Sequence, residues 1–416
     1  MIKQRSFSLN KLKITIIKCF IFFSILCPIY YVKFGNAYYP EVSVPNILVL
    51  LLILCSITNK WIKNACNHRF VRYLLILLAG YNAAALYMNI TCLKWFWEEI
   101  NTSIAVLFFI ILLLYENRIA FDRKFIRYFI GISVLAVIIG ISMYFAGYNS
   151  ISFMNCQFTL IPHDPDYYEK RFSWFFYHKS QYALFLLLII SLLNVYKSCF
   201  KSTVLFYGCN LLSFLGIILS HTWTAVICCF IIWTGCLIDH IRSRHVKIDY
   251  KKLSCLFPLL IAFLWILKRI SRERSLWSLG KRIYIWPAGI KAILQNPAGV
   301  GNAFGNTATI LIPEYNMEVN NCHNVFLNEM WRFSLPVGLL FTVIFISIVI
   351  YSLKKYFSFM NLGIWSALLI SLSMDYSLLG GDFTIFFFYI YCIFFLPYFQ
   401  EELITINQGN HSDAFM

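Results

Sequence analysis

The chain has 416 residues, of which 60% are hydrophobic and only 13% are charged, and its mean hydropathy is +0.69. A soluble domain carries about 25% charged residues, so this composition excludes an ordinary soluble enzyme. The net charge of +16 does not indicate nucleic-acid binding, because most lysines and arginines fall in short loops between apolar segments. That distribution is the positive-inside bias of membrane proteins, and we therefore expect no nucleic-acid partner.

Apolar segments of near-spanning length recur along the chain, so the sequence predicts an all-α integral membrane protein with about twelve transmembrane helices. The basic loops place the N-terminus and the C-terminus in the cytoplasm. The predicted spans are 14–32, 43–58, 73–90, 102–115, 128–147, 180–196, 203–220, 222–238, 254–267, 335–353, 360–376 and 383–398.

Two connections are long, and both are predicted to be extracytoplasmic. The chain is therefore divided into helices 1–9 within residues 1–267, which include the outer loop 148–179, a large outer loop of short helices at 268–334, and helices 10–12 with a cytoplasmic tail at 335–416. The loop 268–334 is rich in basic residues, although the positive-inside tendency is weak for long translocated loops. Positive charge outside the membrane predicts an anionic partner, including membrane lipids.

The loop 268–334 predicts two short helices around a turn. The first is "RIYIWPAGIKAILQ", whose apolar residues recur at helical spacing and would form one packing face. These residues are Ile283, Trp286, Ile290, Ile293 and Leu294. The helix would end at Asn296–Pro297, and Gly299, Gly301 and Gly305 predict a tight turn after it. A second helix would start near His323, with that histidine in its first turn.

The order of these motifs resembles the O-antigen ligase and O-antigen polymerase (Wzy-type) superfamily. Members share an arginine shortly before a tryptophan, a glycine turn, and a His–Asn pair before a hydrophobic helix that leads into a span. The matching residues here are Arg282, Trp286, Asn296–Pro297, Gly299–Val300–Gly301, His323–Asn324 and Leu327. An earlier family arginine, before an aromatic segment entering a span, is matched by Arg171 in "RFSWFFYHKSQYALF".

The chain also departs from the family pattern, and this leaves the subfamily open. Ser180 stands where the family often has asparagine, and Trp223 replaces an arginine in "SHTWTA". Ser334 replaces a common glycine, and Gly338 comes one residue later than usual. The resemblance covers about residues 170–350 in detail and the remainder of the chain by hydropathy alone.

The resemblance implies a GT-C-like glycosyltransferase whose donor is an undecaprenyl-diphosphate-linked oligosaccharide, with no cofactor and no metal. Arg282 and Arg171 would hold the diphosphate, since a guanidinium is always charged and binds phosphate in a bidentate fork. His323 would be the general base for the acceptor hydroxyl, since imidazoles titrate near working pH. The alternatives are that Arg282 anchors the loop to lipid headgroups, and that His323 caps a helix or packs.

Three further residues are candidate substrate ligands. Arg272 and Arg274 could attract the diphosphate or the sugar chain, although a headgroup-binding face is the alternative account of both. Asn324 could orient the imidazole, bind sugar or cap the second helix. Asp375 is an acidic residue near the end of a predicted span; we assign it to the outer interface, and the alternative is a residue of a substrate pathway.

We expect the protein to polymerise lipid-linked repeat units of a surface polysaccharide on the outer face of a bacterial cytoplasmic membrane. Its partners would be the lipid-linked donor, a glycan acceptor and a chain-length regulator. One alternative is an O-antigen ligase, which passes the glycan to lipid A core or another acceptor. A second is a flippase for the same lipid, but the sequence shows neither a repeat between its halves nor matching Gly/Pro-broken spans.

Overall fold

The computed structural model describes residues 2–26, 32–34, 37–39, 44–92, 97–114, 121–154, 157–162, 172–174, 176, 178–243, 268, 280–300, 309–375, 378 and 383–397. This part of the chain is helical, with three two-stranded antiparallel hairpins in its connections. The helices are α1 (Ile2–Leu26), α2 (Val44–Ser56), α3 (Asn59–Asn67), α4 (Arg69–Cys92), α5 (Trp97–Leu113), α6 (Arg123–Phe145), α7 (Lys179–Val195), α8 (Thr203–Leu219), α9 (Trp223–Ser243), α10 (Arg282–Gln295), α11 (Val325–Arg332), α12 (Leu335–Lys355), α13 (Phe359–Met374) and α14 (Phe383–Phe394). The hairpins are β1–β2 (Val32–Phe34, Ala37–Tyr39), β3–β4 (Tyr148–Met154, Gln157–Pro162) and β5–β6 (Ile310–Ile312, Met317–Val319).

Four of these helices are long and apolar enough to cross a membrane, namely the segments Arg69–Ile90, Arg123–Phe145, Trp223–Arg242 and Leu335–Lys355. Five shorter apolar helices, at Glu99–Leu113, Lys179–Val195, Thr203–Leu219, Phe359–Met374 and Phe383–Phe394, accompany them. Helices α2 and α3 form a pair that is bent by 90° at a short break, where Thr58 caps α3. The all-helical class and the presence of helices able to span a membrane therefore agree with the sequence prediction, whereas the number of twelve spans stays a prediction.

The helices α7 and α14 form the centre of the bundle, because nearly all of their side chains are buried on every face. Two polar groups of α14 are hydrogen-bonded inside the core. The hydroxyls of Ser133 and Tyr389 lie 2.8 Å apart, and Tyr196 donates to the Cys392 carbonyl at 2.8 Å. A helix that is apolar all round is expected in such a buried position.

The bundle has two chemically different ends. At one end Arg123 and Arg127 of α6 donate to the carbonyls of Ser198 and Cys199, and further basic residues lie in the loops and helix ends nearby. These further residues are Arg69, Arg72, Lys197, Arg242, Lys354 and Lys355. We call this the basic end. The opposite end, which we call the site end, holds the start of α10 and Asp375, the residue after α13.

The helix α9 ends at the basic end, whereas α10 begins at the site end. At the basic end, Asp239 in the last turn of α9 accepts hydrogen bonds from the N–H groups of Phe359 and Met360, at 2.9 and 2.7 Å. At the site end, Arg282 begins α10 beside Asp375. Ser243 at the end of α9 and Arg282 at the start of α10 therefore lie at opposite ends of the bundle. The predicted span 254–267 lies outside the described residues.

Buried amide and hydroxyl groups join four helices near the site end. Asn46 of α2 donates to Asn101 of α5 at 2.7 Å and accepts from Thr384 of α14 at 3.3 Å. Asn89 of α4 donates to the Glu99 carboxylate of α5 at 3.2 Å. Such contacts hold apolar helices in a fixed register, because their alternative in hydrocarbon is an unsatisfied polar group.

The helices α9 and α13 cross closely at two glycines. A Cβ atom on Gly235 would lie 3.3 Å from the Cα atom of Gly363, and one on Gly363 would lie 2.9 Å from the Ile231 carbonyl oxygen. Nearby, the Cys228 thiol donates to the Ala367 carbonyl at 3.2 Å. Small residues allow two helix backbones to approach each other in this way.

We expect Gly235→Ala to destabilise the bundle by about 1–3 kcal/mol, the usual cost of overpacking a tight interface. The added methyl group would meet backbone atoms of α13, which cannot rotate away. The measurement is the thermal unfolding temperature of the purified protein in detergent. The matched control is Gly208→Ala in α8, where a Cβ atom would meet nothing within 4 Å; equal effects at both positions would contradict the prediction.

Candidate functional site

Arg282 begins α10 and is buried at the site end of the bundle, with only 7% of its surface exposed. One of its terminal nitrogens lies 2.6 Å from a carboxylate oxygen of Asp375, and its Nε donates to the carbonyl of Met374. Asp375 is 9% exposed, so both charges are withdrawn from solvent. A buried charge is tolerated only when it is paired and hydrogen-bonded. The contact therefore fixes the orientation of the guanidinium.

The face of α10 that packs differs from the predicted one. The buried residues are Arg282, Ile285, Gly289 and Ile293, whereas Ile283, Ile290 and Leu294 are exposed. The prediction of a face through those three side chains was therefore wrong. The helix is turned because Arg282 must face Asp375 and because Gly289 must face the loop before α11. The ion pair and the close approach at Gly289 set the rotation of α10 about its axis. The spacing of hydrophobic residues predicts neither contact.

Cys322, the residue before His323, ties the His323 loop to α10. Its side chain is fully buried, and a Cβ atom on Gly289 would lie 2.7 Å from its Sγ. Burial raises the pKa of the Cys322 thiol to about 12, so it packs as a neutral group. Gly289 lies seven residues after Arg282 on the same buried face, which is about 10 Å along a helix axis. Arg282 and the start of the His323 loop thus share one face of one short helix.

His323 lies in a left-handed backbone conformation, with φ of +48°. Its N–H donates to the Oδ1 of Asn321 at 2.9 Å, and its side chain is half-buried. Few residues other than glycine adopt a positive φ, and such positions cluster at functional sites when the surrounding structure enforces them. The strain here is held by hydrogen bonds on both sides of the histidine.

Asn324 is the N-cap of α11, and its Oδ1 accepts the N–H of Leu327 at 3.1 Å. Of the three roles considered for Asn324, the capping role is therefore observed. The helix begins at Val325, so the prediction that His323 lies in the first helical turn was wrong. The residue type explains the difference, since asparagine is among the strongest N-cap residues and sets the start one residue later than His323.

The glycine turn predicted after α10 docks against the junction of α11 and α12. Gly299 has φ of +74°, and a Cβ atom there would lie 2.8 Å from the carbonyl carbon of Phe333. The N–H of Val300 donates to the Trp331 carbonyl at 2.9 Å, and the N–H of Leu335 donates to the Pro297 carbonyl at 2.8 Å. The turn is confirmed at Gly299, whereas Gly301 and Gly305 lie outside the described residues.

We expect Gly299→Ala to destabilise the loop 280–334 by about 2 kcal/mol or more, because an L-residue is strained at this φ and its Cβ atom would collide with backbone. The measurement is protease sensitivity of the loop together with the thermal unfolding temperature. Gly147→Ala is the matched control, since Gly147 also has a positive φ but a Cβ atom there meets nothing within 4 Å. A Gly147 effect as large as that at Gly299 would show that the collision contributes nothing.

The loop 280–334 has a small apolar core of its own, in which Ile293, Ile310, Cys322 and Trp331 are buried together. The strand β5 packs against α10, and Lys281 lies over the ring of Tyr315, 4.6 Å from its centroid. This core holds α10 and α11 at a fixed separation, so Arg282 and His323 are parts of one packed unit.

Three predicted substrate ligands, Arg171, Arg272 and Arg274, lie outside the described residues. Of the predicted site residues, the described part of the chain holds Arg282, His323 and Asn324. Sequence reasoning missed the partner of Arg282, because Asp375 was considered as an interfacial or a pathway residue and never as the partner of an arginine. The one available signal was that Asp375 is an isolated carboxylate at the end of a span, where ionisable residues usually have a partner or a function.

Neither a scan against protein-family models nor a search of curated proteins gives a match for this chain. The site must therefore be interpreted from its own geometry. The site combines the oriented guanidinium of Arg282 with the half-buried imidazole of His323, which lies in a strained turn. The helix α10 supports both. Within the described ranges, no group of three or more His, Cys, Asp or Glu side chains is arranged to hold a metal ion.

Proposed function

We propose that the protein is a membrane glycosyltransferase that polymerises lipid-linked oligosaccharide units of a surface polysaccharide. The observation that carries the proposal is the buried Arg282–Asp375 pair at one end of an apolar helical bundle, on the same helix face that supports the His323 loop. A positive group and a candidate base at a membrane surface suit a substrate with an anionic headgroup and a hydroxyl nucleophile. The sequence resemblance to O-antigen polymerases and ligases points to the same substrate class.

Arg282 would stabilise the diphosphate leaving group of an undecaprenyl-diphosphate-linked donor. When the anomeric C–O bond breaks, negative charge grows on the departing phosphate oxygen. A guanidinium already oriented towards that oxygen lowers the activation free energy of bond breaking. A guanidinium has five N–H donors, so one edge can hold a carboxylate while another meets a phosphate. Asp375 would act as the group that fixes this orientation. Arg171, Arg272 and Arg274 remain proposed contributors to the same anionic site.

His323 would act as the general base. The acceptor hydroxyl attacks the anomeric carbon, the imidazole takes the hydroxyl proton, and the lipid diphosphate leaves with the bonding electrons. General-base catalysis of this kind typically contributes about 10²–10⁴-fold to the rate. In this scheme the reaction uses the energy of the phosphoester bond and needs no nucleotide sugar, cofactor or metal.

We further propose twelve spans in a bacterial cytoplasmic membrane, with both termini and the basic end in the cytoplasm and the loop 268–334 outside. The clustering of arginine and lysine at the end opposite Arg282 supports this orientation. A chain-length regulator would be a membrane partner of the polymerase. A ligase would use the same residues and differ only in its acceptor, whereas a flippase would carry its charged groups along a path through the bilayer.

The test is a deletion strain analysed for lipid-linked intermediates, complemented with the wild-type gene or with the Arg282→Ala variant. We expect single repeat units to accumulate on the outer face of the membrane in the deletion strain, and only the wild-type gene to restore the long polymer. Accumulation on the inner face would indicate a flippase. Unchanged polymer and unchanged intermediates would overturn the proposal. Loss of polymer attachment to its acceptor, with chain length preserved, would identify a ligase.

A further inference from the structure

We propose that Asn328 is a positioning residue for His323, and this inference rests on the proposed glycosyltransferase function. Asn328 lies in the second turn of α11 and is fully buried. Its Oδ1 accepts the N–H of Cys322, the residue before His323, at 2.7 Å. The side chain therefore reaches back from the helix body and holds the backbone that leads into the strained turn.

The orientation of the Asn328 amide follows from this contact, because only its oxygen can accept an N–H. Its Nδ2 is buried and has no hydrogen-bond acceptor among the residues that the structure describes. Leaving a buried donor unpaired is costly. If the side chain served only to fill space, an apolar residue of the same shape would avoid that cost. The hydrogen bond to Cys322 is what the asparagine contributes at this position.

The neighbouring asparagines have different tasks. Asn321 accepts the N–H of His323, and Asn324 caps α11, so both act within the turn itself. Of the three, Asn328 is the one that ties the turn to the body of the helix, about one turn beyond the N-cap. Its bond also keeps Cys322 directed at Gly289 and thereby keeps the His323 loop seated on the helix that begins with Arg282. Loss of this acceptor would let the imidazole move relative to the guanidinium.

The experiment uses the full-length protein in proteoliposomes with the lipid-linked oligosaccharide isolated from the deletion strain as donor and acceptor. For Asn328→Leu we expect kcat to fall about 10-fold, which corresponds to about 1.4 kcal/mol, with the donor KM within about twofold of wild type. Asn328→Asp, which keeps the acceptor oxygen, is expected to retain at least half of the wild-type kcat. Gln295→Leu is the matched control, because it also replaces an amide side chain by leucine but at an exposed position of the same loop, the last residue of α10.

A double variant separates positioning from folding. If Asn328 acts through His323, adding Asn328→Leu to His323→Asn should cause no further loss, because the imidazole is already absent. An additive loss in the double variant, an unchanged kcat in Asn328→Leu, or a loss in Asn328→Asp equal to that in Asn328→Leu would each overturn the proposal. Should Asn328→Leu fail to fold, Asn328→Ala and its double variant with His323→Asn take its place, with the same expected and contradicting results. An active His323→Asn enzyme would instead refute the assigned base, and thus the two failures are distinguishable.

Discussion

Asp375→Ala is expected to abolish transferase activity and to destabilise the protein by about 3–5 kcal/mol, the usual cost of removing one partner of a buried ion pair. The Arg282 guanidinium would lose the carboxylate that lies 2.6 Å away while remaining in a site that excludes solvent. The measurements are thermal unfolding in detergent and polymer formation from lipid-linked donor in proteoliposomes. Asp375→Asn keeps an acceptor oxygen, and we expect it to be intermediate in both measurements.

A paired replacement separates the structural role of Asp375 from the catalytic role of Arg282. Replacing both partners by leucine removes both buried charges, so stability should return towards the wild-type value. Activity should not return, because the diphosphate would have no guanidinium to meet. Recovery of activity in the double variant would show that Arg282 serves only the fold. Arg282→Lys is the matched charge control; it keeps a cation but cannot hold both the Met374 carbonyl and Asp375 in one planar fork.

Sequence patterns predicted the local features of this protein well. The apolar runs predicted helices, Asn296–Pro297 predicted the end of α10, and Gly299 predicted a turn, which has a positive φ in the structure. Each of these features depends on side-chain polarity, on proline geometry or on glycine conformation within a few residues. Such information is contained in a short window of sequence, so it can be derived without a structure.

The contacts that assemble the site are different, because their partners are far apart in the chain. Arg282 and Asp375 are separated by 93 residues, and the sequence around either residue does not indicate that the other is its partner. The rotation of α10 follows from Arg282 and from the closeness of Gly289 to Cys322, and neither contact has a periodic signal. The strained φ of His323 likewise depends on Asn321 and on the cap at Asn324. Long-range pairing and backbone strain are therefore what sequence reasoning missed.

The second large effect is expected on kcat when the imidazole of His323 is removed. His323→Asn is expected to lower kcat by about 10²–10⁴-fold without lowering stability, because a general base is removed while the backbone is kept. Asparagine is chosen since it tolerates the left-handed conformation at φ of +48°, whereas alanine would add a backbone strain unrelated to catalysis. The measurement is single-turnover transfer from lipid-linked donor with the enzyme in excess, alongside thermal unfolding.

The chain offers a matched control for this change. His221 also has a left-handed backbone, with φ of +51°, and lies half-buried in the turn between α8 and α9. His221→Asn makes the same chemical substitution in the same backbone conformation, so we expect its kcat to stay near that of wild type. Equal losses at His221 and His323 would mean that strained histidine turns support the fold and that neither imidazole acts as the base. A loss confined to His323 would assign proton removal to that side chain, since strain and residue type are the same in both variants.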